Sequence, residues 1–414
     1  MRKTIQLLTL FLVSMAATIA IVALASIRKP NDEPPRQAHS LEQQSDSAPT
    51  IKPEPKPVDP IQEQLNAMSL EEKIAQLLIV ENKGQTITEA EMSRLKEAPY
   101  GGYILMGDNY GTLASTRKFV EELQKRAKTK LIIATDQEGG PVQRIANISD
   151  RAATNIPDMY SLGSTNDAEL AQEVGRVMAE EMRAIGINVD FAPDVDVFSN
   201  PNNNVIGKRS FSDNPQVVTK MPMALARGLE ENGVVATYKH FPGHGDTAVD
   251  SHFNLPIINR SRDELERSDL IPFRNAIENG AKIIMVGHIA LPKVTGDNTP
   301  ASLSGTIITD VLRREYKYDS LVVTDAMNMG AITNNYQEWD SYRRAINAGA
   351  DMLVLPSNPE LAIESIKRNV KIERIDEAAY RVLKFKKENL EDYEYLDESY
   401  FGSAEHAEVV QRIR

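Results

Sequence analysis

Lys239-His240-Phe241-Pro242-Gly243-His244-Gly245-Asp246-Thr247-Ala248-Val249-Asp250-Ser251-His252 is a dense run of ionisable side chains, and it carries three of the six histidines of the chain. The run follows an apolar stretch and is punctuated by glycines, which makes it poor core material and suits it to proton transfer or ligand binding. Asp250 and His252 stand two residues apart. In an extended or turned segment such residues point the same way, so the carboxylate can reach the imidazole, fix its tautomer and favour its protonated form. That makes either an acid/base pair for work near neutral pH or a pair that only stabilises its loop. Gly243 and Gly245 are expected to give the loop backbone freedom. A metal site is the rival reading, since His240, His244, Asp246 and His252 are all competent ligands. Their spacings are not those of a helix-borne His pair, and Lys239 beside His240 disfavours a cation, so no metal is expected.

Asp325 lies in Val322-Val323-Thr324-Asp325-Ala326-Met327. A carboxylate at the end of a β-branched run suits a nucleophile, and equally a buried ion-pair acceptor. Asp136, in Thr135-Asp136-Gln137-Glu138-Gly139-Gly140, stands before a glycine pair that marks a tight turn. It is placed either to bind substrate hydroxyls or to cap that turn. Arg144 and Arg209 are the fork-like donors near these loops. No phosphate-binding loop, nucleotide fingerprint or Gly-x-Ser-x-Gly elbow is present. The chain has no cysteine, which removes disulfides, thiolate metal sites, cysteine nucleophiles and lipid attachment through an N-terminal Cys.

The elements that must position these residues follow from the hydrophobic pattern. Short apolar runs at Leu77–Val80, Gly102–Met106, Leu131–Asp136, Asn188–Pro193, Val234–His240, Lys282–His288, Ser320–Asp325 and Asp351–Leu355 read as eight strands. Amphipathic stretches such as Ala168–Ala184, Val217–Glu231, Asp263–Asn279 and Ile307–Tyr316 read as helices between them. Strand and helix in alternation imply parallel strands joined by crossovers. Eight such units predict an α/β fold of the (β/α)8 barrel type, as a single domain over residues 61–390 with a tail at 391–414. Periodicity alone does not close a sheet, so a doubly wound open sheet is the alternative. Asp136, Asp194, Asp196, Lys239, His240, His288 and Asp325 all fall at or just beyond the carboxyl ends of apolar runs. In a barrel those ends form one face, where active sites are built. Polar residues also mark strand ends for no catalytic reason, and that plainer explanation applies to any one of them.

The flanking segments differ in kind. Arg2 and Lys3 precede an uncharged run from Thr4 to Ile27. As a helix it would reach about 36 Å, enough for a bilayer core of roughly 30 Å. Residues 1–27 are therefore expected to be a signal-anchor or, given Ala23-Leu24-Ala25, a cleaved signal peptide. Residues 28–60 are rich in proline and polar side chains and read as a disordered tether. Either option exports the rest of the chain. The 414 residues carry 47 basic and 59 acidic side chains, a formal charge of −12. That balance argues against nucleic acid as a partner.

The stretch Lys239–His252 resembles the signature of the bacterial β-N-acetylglucosaminidases of glycoside hydrolase family 3. Thr135–Gly140 resembles the family's Asp-x-Glu-Gly-Gly segment, Ile206–Phe211 its Gly-x-Arg-Ser-Phe segment, and Val323–Met327 its nucleophile segment. Arg374–Lys386 resembles its closing helix. The likeness runs from about Leu65 to about Lys386, and the Gly-His-Gly-Asp…Asp-Ser-His loop separates this branch from the family's β-glucosidases. It implies a retaining mechanism in which Asp325 forms a glycosyl-enzyme and His252, paired with Asp250, moves the protons. Asp136, Arg144, Arg209, Lys239 and His240 would hold the terminal sugar, with Met327 lying against it. This departs from the usual pair of carboxylates, and a loop imidazole takes the second role, closing when substrate arrives. No metal or organic cofactor is implied. The expected substrates are N-acetylglucosaminyl glycosides, cell-wall muropeptides among them, met outside the membrane by a tethered or secreted monomer. Because the chain ends at Arg414, the second domain of some members is not expected. A β-N-acetylglucosaminide phosphorylase on the same scaffold, or a non-catalytic wall-binding protein, are the alternatives.

Overall fold

A computed structural model describes residues 59–413 of the protein. The expected signal segment and nearly all of the expected tether lie outside the described residues. Among the described residues no helix is long and apolar enough to cross a membrane.

Eight parallel strands close into a barrel: β1 (Leu78–Val80), β2 (Gly102–Ile104), β3 (Ile132–Thr135), β6 (Val189–Asp190), β7 (Val235–Phe241), β8 (Ile283–Val286), β9 (Leu321–Ala326) and β10 (Met352–Val354). Each falls within or overlaps a run expected from the sequence. The barrel closes through β1, which pairs with β2 on one side and β10 on the other, so the open-sheet alternative is set aside. Two further strands, β4 (Gln137–Gly139) and β5 (Val142–Gln143), form an antiparallel hairpin where the sequence predicts only a turn.

The strands are apolar on both faces because crossover helices cover the outside and side chains fill the inside. Val322 and Val323 of β9, and Ile283 and Ile284 of β8, are essentially inaccessible. The helix Ala168–Ala184 has the bounds the sequence predicts. Asp167 caps it by accepting from the Leu170 N–H at 3.1 Å. The expected helix over Asp263–Asn279 is two pieces, Arg262–Glu266 and Leu270–Glu278. Pro272 has no N–H and is tolerated only in a first turn, so the helix must restart just before it.

The segment beyond Leu390, expected as a tail, lies along the helix Ala168–Ala184. Tyr393 donates its hydroxyl to the Ile187 carbonyl at 2.8 Å, and Arg117 reaches the Leu396 carbonyl at 2.7 Å. His406 sits in the helix Ala404–Gln411, with Nε2 2.7 Å from Glu180 Oε2 and Nδ1 3.2 Å from Glu181 Oε1.

Candidate active site

The carboxyl ends of the barrel strands surround a cavity of about 250 Å3. Ile104, Phe191, Met285 and Val354 give it an apolar floor, and Asp136, Glu138, Arg209, Lys239, His240, His252 and Asp325 are among its polar walls. A larger depression of about 760 Å3 near Glu71, Arg94 and Glu360 gathers none of the strand-end ionisable groups. The smaller cavity is the one whose chemistry is assembled from several separate strands.

One wall is a buried ladder of alternating charge. Lys239 on β7 places Nζ 2.9 Å from Asp136 Oδ1 and 2.5 Å from Glu138 Oε1. Arg209 grips the same Glu138 with Nε at 2.7 Å and Nη2 at 2.9 Å, the two-pronged geometry a guanidinium offers a carboxylate. Burial opposes ionisation of Glu138, but the Arg209 and Lys239 charges outweigh it and hold the carboxyl far below the usual range. Burial likewise opposes the Lys239 charge, and Asp136 and Glu138 raise it above the ordinary lysine value. The sequence predicts Asp136, Arg209 and Lys239 here, but not Glu138. Its two-residue spacing from Asp136 before the Gly pair was the available signal.

His240 is the second layer. Its Nδ1 lies 2.7 Å from Asp196 Oδ2, and Arg209 Nη2 approaches Nε2 at 3.5 Å. Burial, above all, pulls this imidazole down to about 4. At neutral pH it is therefore uncharged, with Nδ1–H donated to Asp196 and Nε2 an acceptor. Asp196 Oδ1 also accepts the His244 N–H at 2.6 Å. Beside it, burial and the Asp196 carboxylate push Asp194 up to about 8. Among the described residues Asp194, Asp196 and His240 are a group whose ligand atoms lie within 4.8 Å of one another. The other residues weighed as metal ligands are not gathered there: His244 faces Ser251, Asp246 pairs with Arg260 at 2.7 Å, and His252 pairs with Asp250.

Asp325 occupies the end of β9, and its Oδ1 accepts the Ala326 N–H at 2.8 Å. Burial opposes its charge; His240, His288, that amide and Lys239 prevail and hold the carboxyl at about 2. Since His240 is neutral above about 4, Lys239 and the amide sustain the anion at working pH. His288 braces the same strand end, with Nε2 3.0 Å from the Ala326 carbonyl. It is buried and does not line the cavity.

Asp250 and His252 meet as their spacing predicts, Oδ1 to Nδ1 at 2.8 Å, and the same carboxylate oxygen accepts the His252 N–H at 2.8 Å. The His252 side chain is 59% exposed at the cavity rim. Gly243 uses the backbone freedom expected of it, at φ 124°, whereas Gly245 does not. A Cβ on Gly245 would stand 1.7 Å from the Val197 carbonyl oxygen, so this glycine permits close packing. Ser251 is buried and its hydroxyl is 3.0 Å from His244 Nε2. Arg144 lines the cavity with a buried Nε that has no partner among the described residues. Met327 does not line it. That side chain is 1% exposed in the core, and Met329 and Asn328 take the place expected for it. The turn after β9 carries Met327 inward.

A barrel whose strand ends present a buried carboxylate anion, a carboxylate-held imidazole and a clamp of alternating charge is the architecture of a glycoside hydrolase. The model for the glycosyl hydrolase family 3 N terminal domain matches residues 69–385, and the chain belongs to that family. It is 39% identical over 275 residues to a β-hexosaminidase A of Pseudoalteromonas piscicida, covering 62% of this chain and 46% of that protein. It is 34% identical over 293 residues to a β-hexosaminidase of Nitrosomonas eutropha, covering 69% of this chain and 82% of that one. Its fold is similar to a family 3 β-N-acetylglucosaminidase from a Paenibacillus species, with a TM-score of 0.77 and 34% identity over 84% of this chain and 68% of that chain.

Proposed function

We propose that the protein is a retaining, exo-acting β-N-acetylglucosaminidase. The observation that carries this reading is that Asp325 and His252, from β9 and from the loop after β7, border one cavity with the Glu138–Lys239–Arg209 clamp. A cavity of about 250 Å3 with an apolar floor matches one terminal ring, which supports the exo-acting reading. Asp136, Arg144, Arg209, Lys239 and His240 supply charge-assisted and acceptor contacts for its hydroxyls.

Asp325, anionic and at the strand end, attacks the anomeric carbon, while protonated His252 delivers its Nε2 proton to the departing oxygen. The carbon–oxygen bond to the aglycone breaks as the ester to Asp325 forms. Neutral His252 then takes a proton from water, whose oxygen displaces Asp325 and leaves the sugar with its original configuration. Asp250 keeps the imidazole on one tautomer, accepting from Nδ1 and leaving Nε2 for the proton in flight. A neutral base adds no second negative charge beside Asp325.

The substrates we assign are fragments bearing a terminal N-acetylglucosamine, cell-wall muropeptides first among them. We place the protein outside the membrane, tethered by residues 1–27 or secreted. Product analysis on purified muropeptides, with and without phosphate, tests this. Release of free N-acetylglucosamine supports it; a sugar 1-phosphate formed only with phosphate makes the enzyme a phosphorylase; binding without turnover makes it a wall-binding protein. Protease accessibility of the folded domain on intact cells or spheroplasts supports the location, and recovery from the soluble cytosol contradicts it.

A further inference from the structure

Three consecutive carbonyls of the acid/base segment are captured by the short stretch that follows the nucleophile strand. The Ala331 N–H donates to the Ser251 carbonyl at 3.1 Å, and the Gly330 N–H to the His252 carbonyl at 2.9 Å. Asn334 Nδ2 donates to the Phe253 carbonyl at 2.8 Å. Gly330 opens the helix Gly330–Thr333, five residues beyond Asp325, and the Met329 N–H returns to the Ala326 carbonyl at 3.1 Å. A Cβ on Gly330 would stand 2.5 Å from the Phe253 oxygen and 2.7 Å from the His252 oxygen. No side chain fits there without displacing the loop.

We infer that Gly330 and Ala331 are positioning residues for general acid catalysis: they latch the Asp250–Phe253 segment to the nucleophile strand and so set His252 relative to Asp325. This rests on the roles given to those two residues above. The latch explains why a side chain that is more than half exposed can hold a reacting geometry. Its main chain is held by the segment that follows the nucleophile, and its ring by Asp250 Oδ1 at 2.8 Å. Displacement of about 1 Å is enough to lose on the order of a hundredfold in rate.

The test is Gly330→Ala in the full chain, with two readouts. The first is kcat/KM over aryl β-N-acetylglucosaminides whose phenols span poor to good leaving groups, normalised to active sites. The loss should grow with leaving-group pKa, at least about tenfold greater for the poorest than for the best, because only poor leaving groups need the proton. The second is amide hydrogen exchange of residues 250–254, which should quicken while the barrel strands keep their protection. Equal loss across the series, no loss, or unchanged exchange overturns the latch. Should the wild type hydrolyse none of these substrates, the proposed function falls and the exchange readout still judges the latch. If Gly330→Ala fails to fold, Ala331→Pro removes only the N–H that reaches Ser251, at a first-turn position that accepts proline, and the same two outcomes apply.

Discussion

Lys239 and Arg209 share one oxygen of Glu138, Oε1, at 2.5 and 2.9 Å, and Arg209 Nε holds the other at 2.7 Å, so one buried carboxylate serves two buried cations. Glu138→Ala should therefore cost about 3–5 kcal/mol, the scale of stranding a buried charge. Glu138→Gln keeps a hydrogen-bond acceptor and should cost less. Urea unfolding of the three proteins checks the order; equal stability of wild type and Glu138→Ala would refute the clamp.

His252→Ala should slow aryl glycosides with poor leaving groups by about 10²–10⁴ and those with acidic phenols far less in the glycosylation step. Added azide should restore turnover where deglycosylation limits, because an anionic nucleophile needs no general base. A uniform loss that azide does not relieve would remove His252 from the proton path.

The Asp194–Asp196 pair gives stability a pH signature. Asp194 is raised to about 8, from an unfolded value of about 3.9. Between those values the native state holds the extra proton, so this contribution is full at low pH and drains as pH rises to about 8. His240 and His244, pulled down to about 4 and about 3, act in the opposite sense but only below about 6.5. Asp194→Asn mimics the protonated form. Relative to wild type it should gain on the order of 1 kcal/mol between pH 6.5 and 8.5, read from urea midpoints. An unchanged difference would show that Asp194 is already ionised at pH 6.5.

The C-terminal segment should prove part of the folded unit. His406 is buried against two glutamates; burial opposes its charge, and the Glu181 and Glu180 hydrogen bonds raise its pKa nonetheless. His406→Ala should cost about 3 kcal/mol at pH 6 and less at a pH raised far enough for wild type to lose the cation. A cost equal at both pH values would make the contact one of packing alone.

Much of this site is legible in the sequence because a barrel converts one-dimensional spacing into one face. Once Asp136, Lys239, His240 and Asp325 end separate apolar runs, parallel strands bring them together. Asp250 and His252 are equally legible, being close along the chain. What the sequence conceals are partnerships set by long-range packing. Glu138 is claimed by Arg209 from 71 residues away, and nothing in its own neighbourhood specifies that partner. Gly245 reads as freedom but serves close approach, and only Val197, far back in the chain, distinguishes the two. Met327 and Met329 differ by the direction of a turn that hydrophobicity does not report. The capture of the acid/base carbonyls by Gly330 and Ala331 is main-chain chemistry, which side-chain identity does not encode.

The most direct measurement of the central claim is covalent trapping. A 5-fluoro N-acetylglucosaminyl fluoride carries a ring fluorine that slows both steps and a good anomeric leaving group, fluoride, that keeps the first step faster than the second. The intact protein should gain the mass of one sugar as activity falls, and peptide sequencing should place that mass on Asp325, with no adduct on Asp325→Asn. Inactivation with the sugar on another residue, or turnover with inverted configuration and no adduct, would contradict the account.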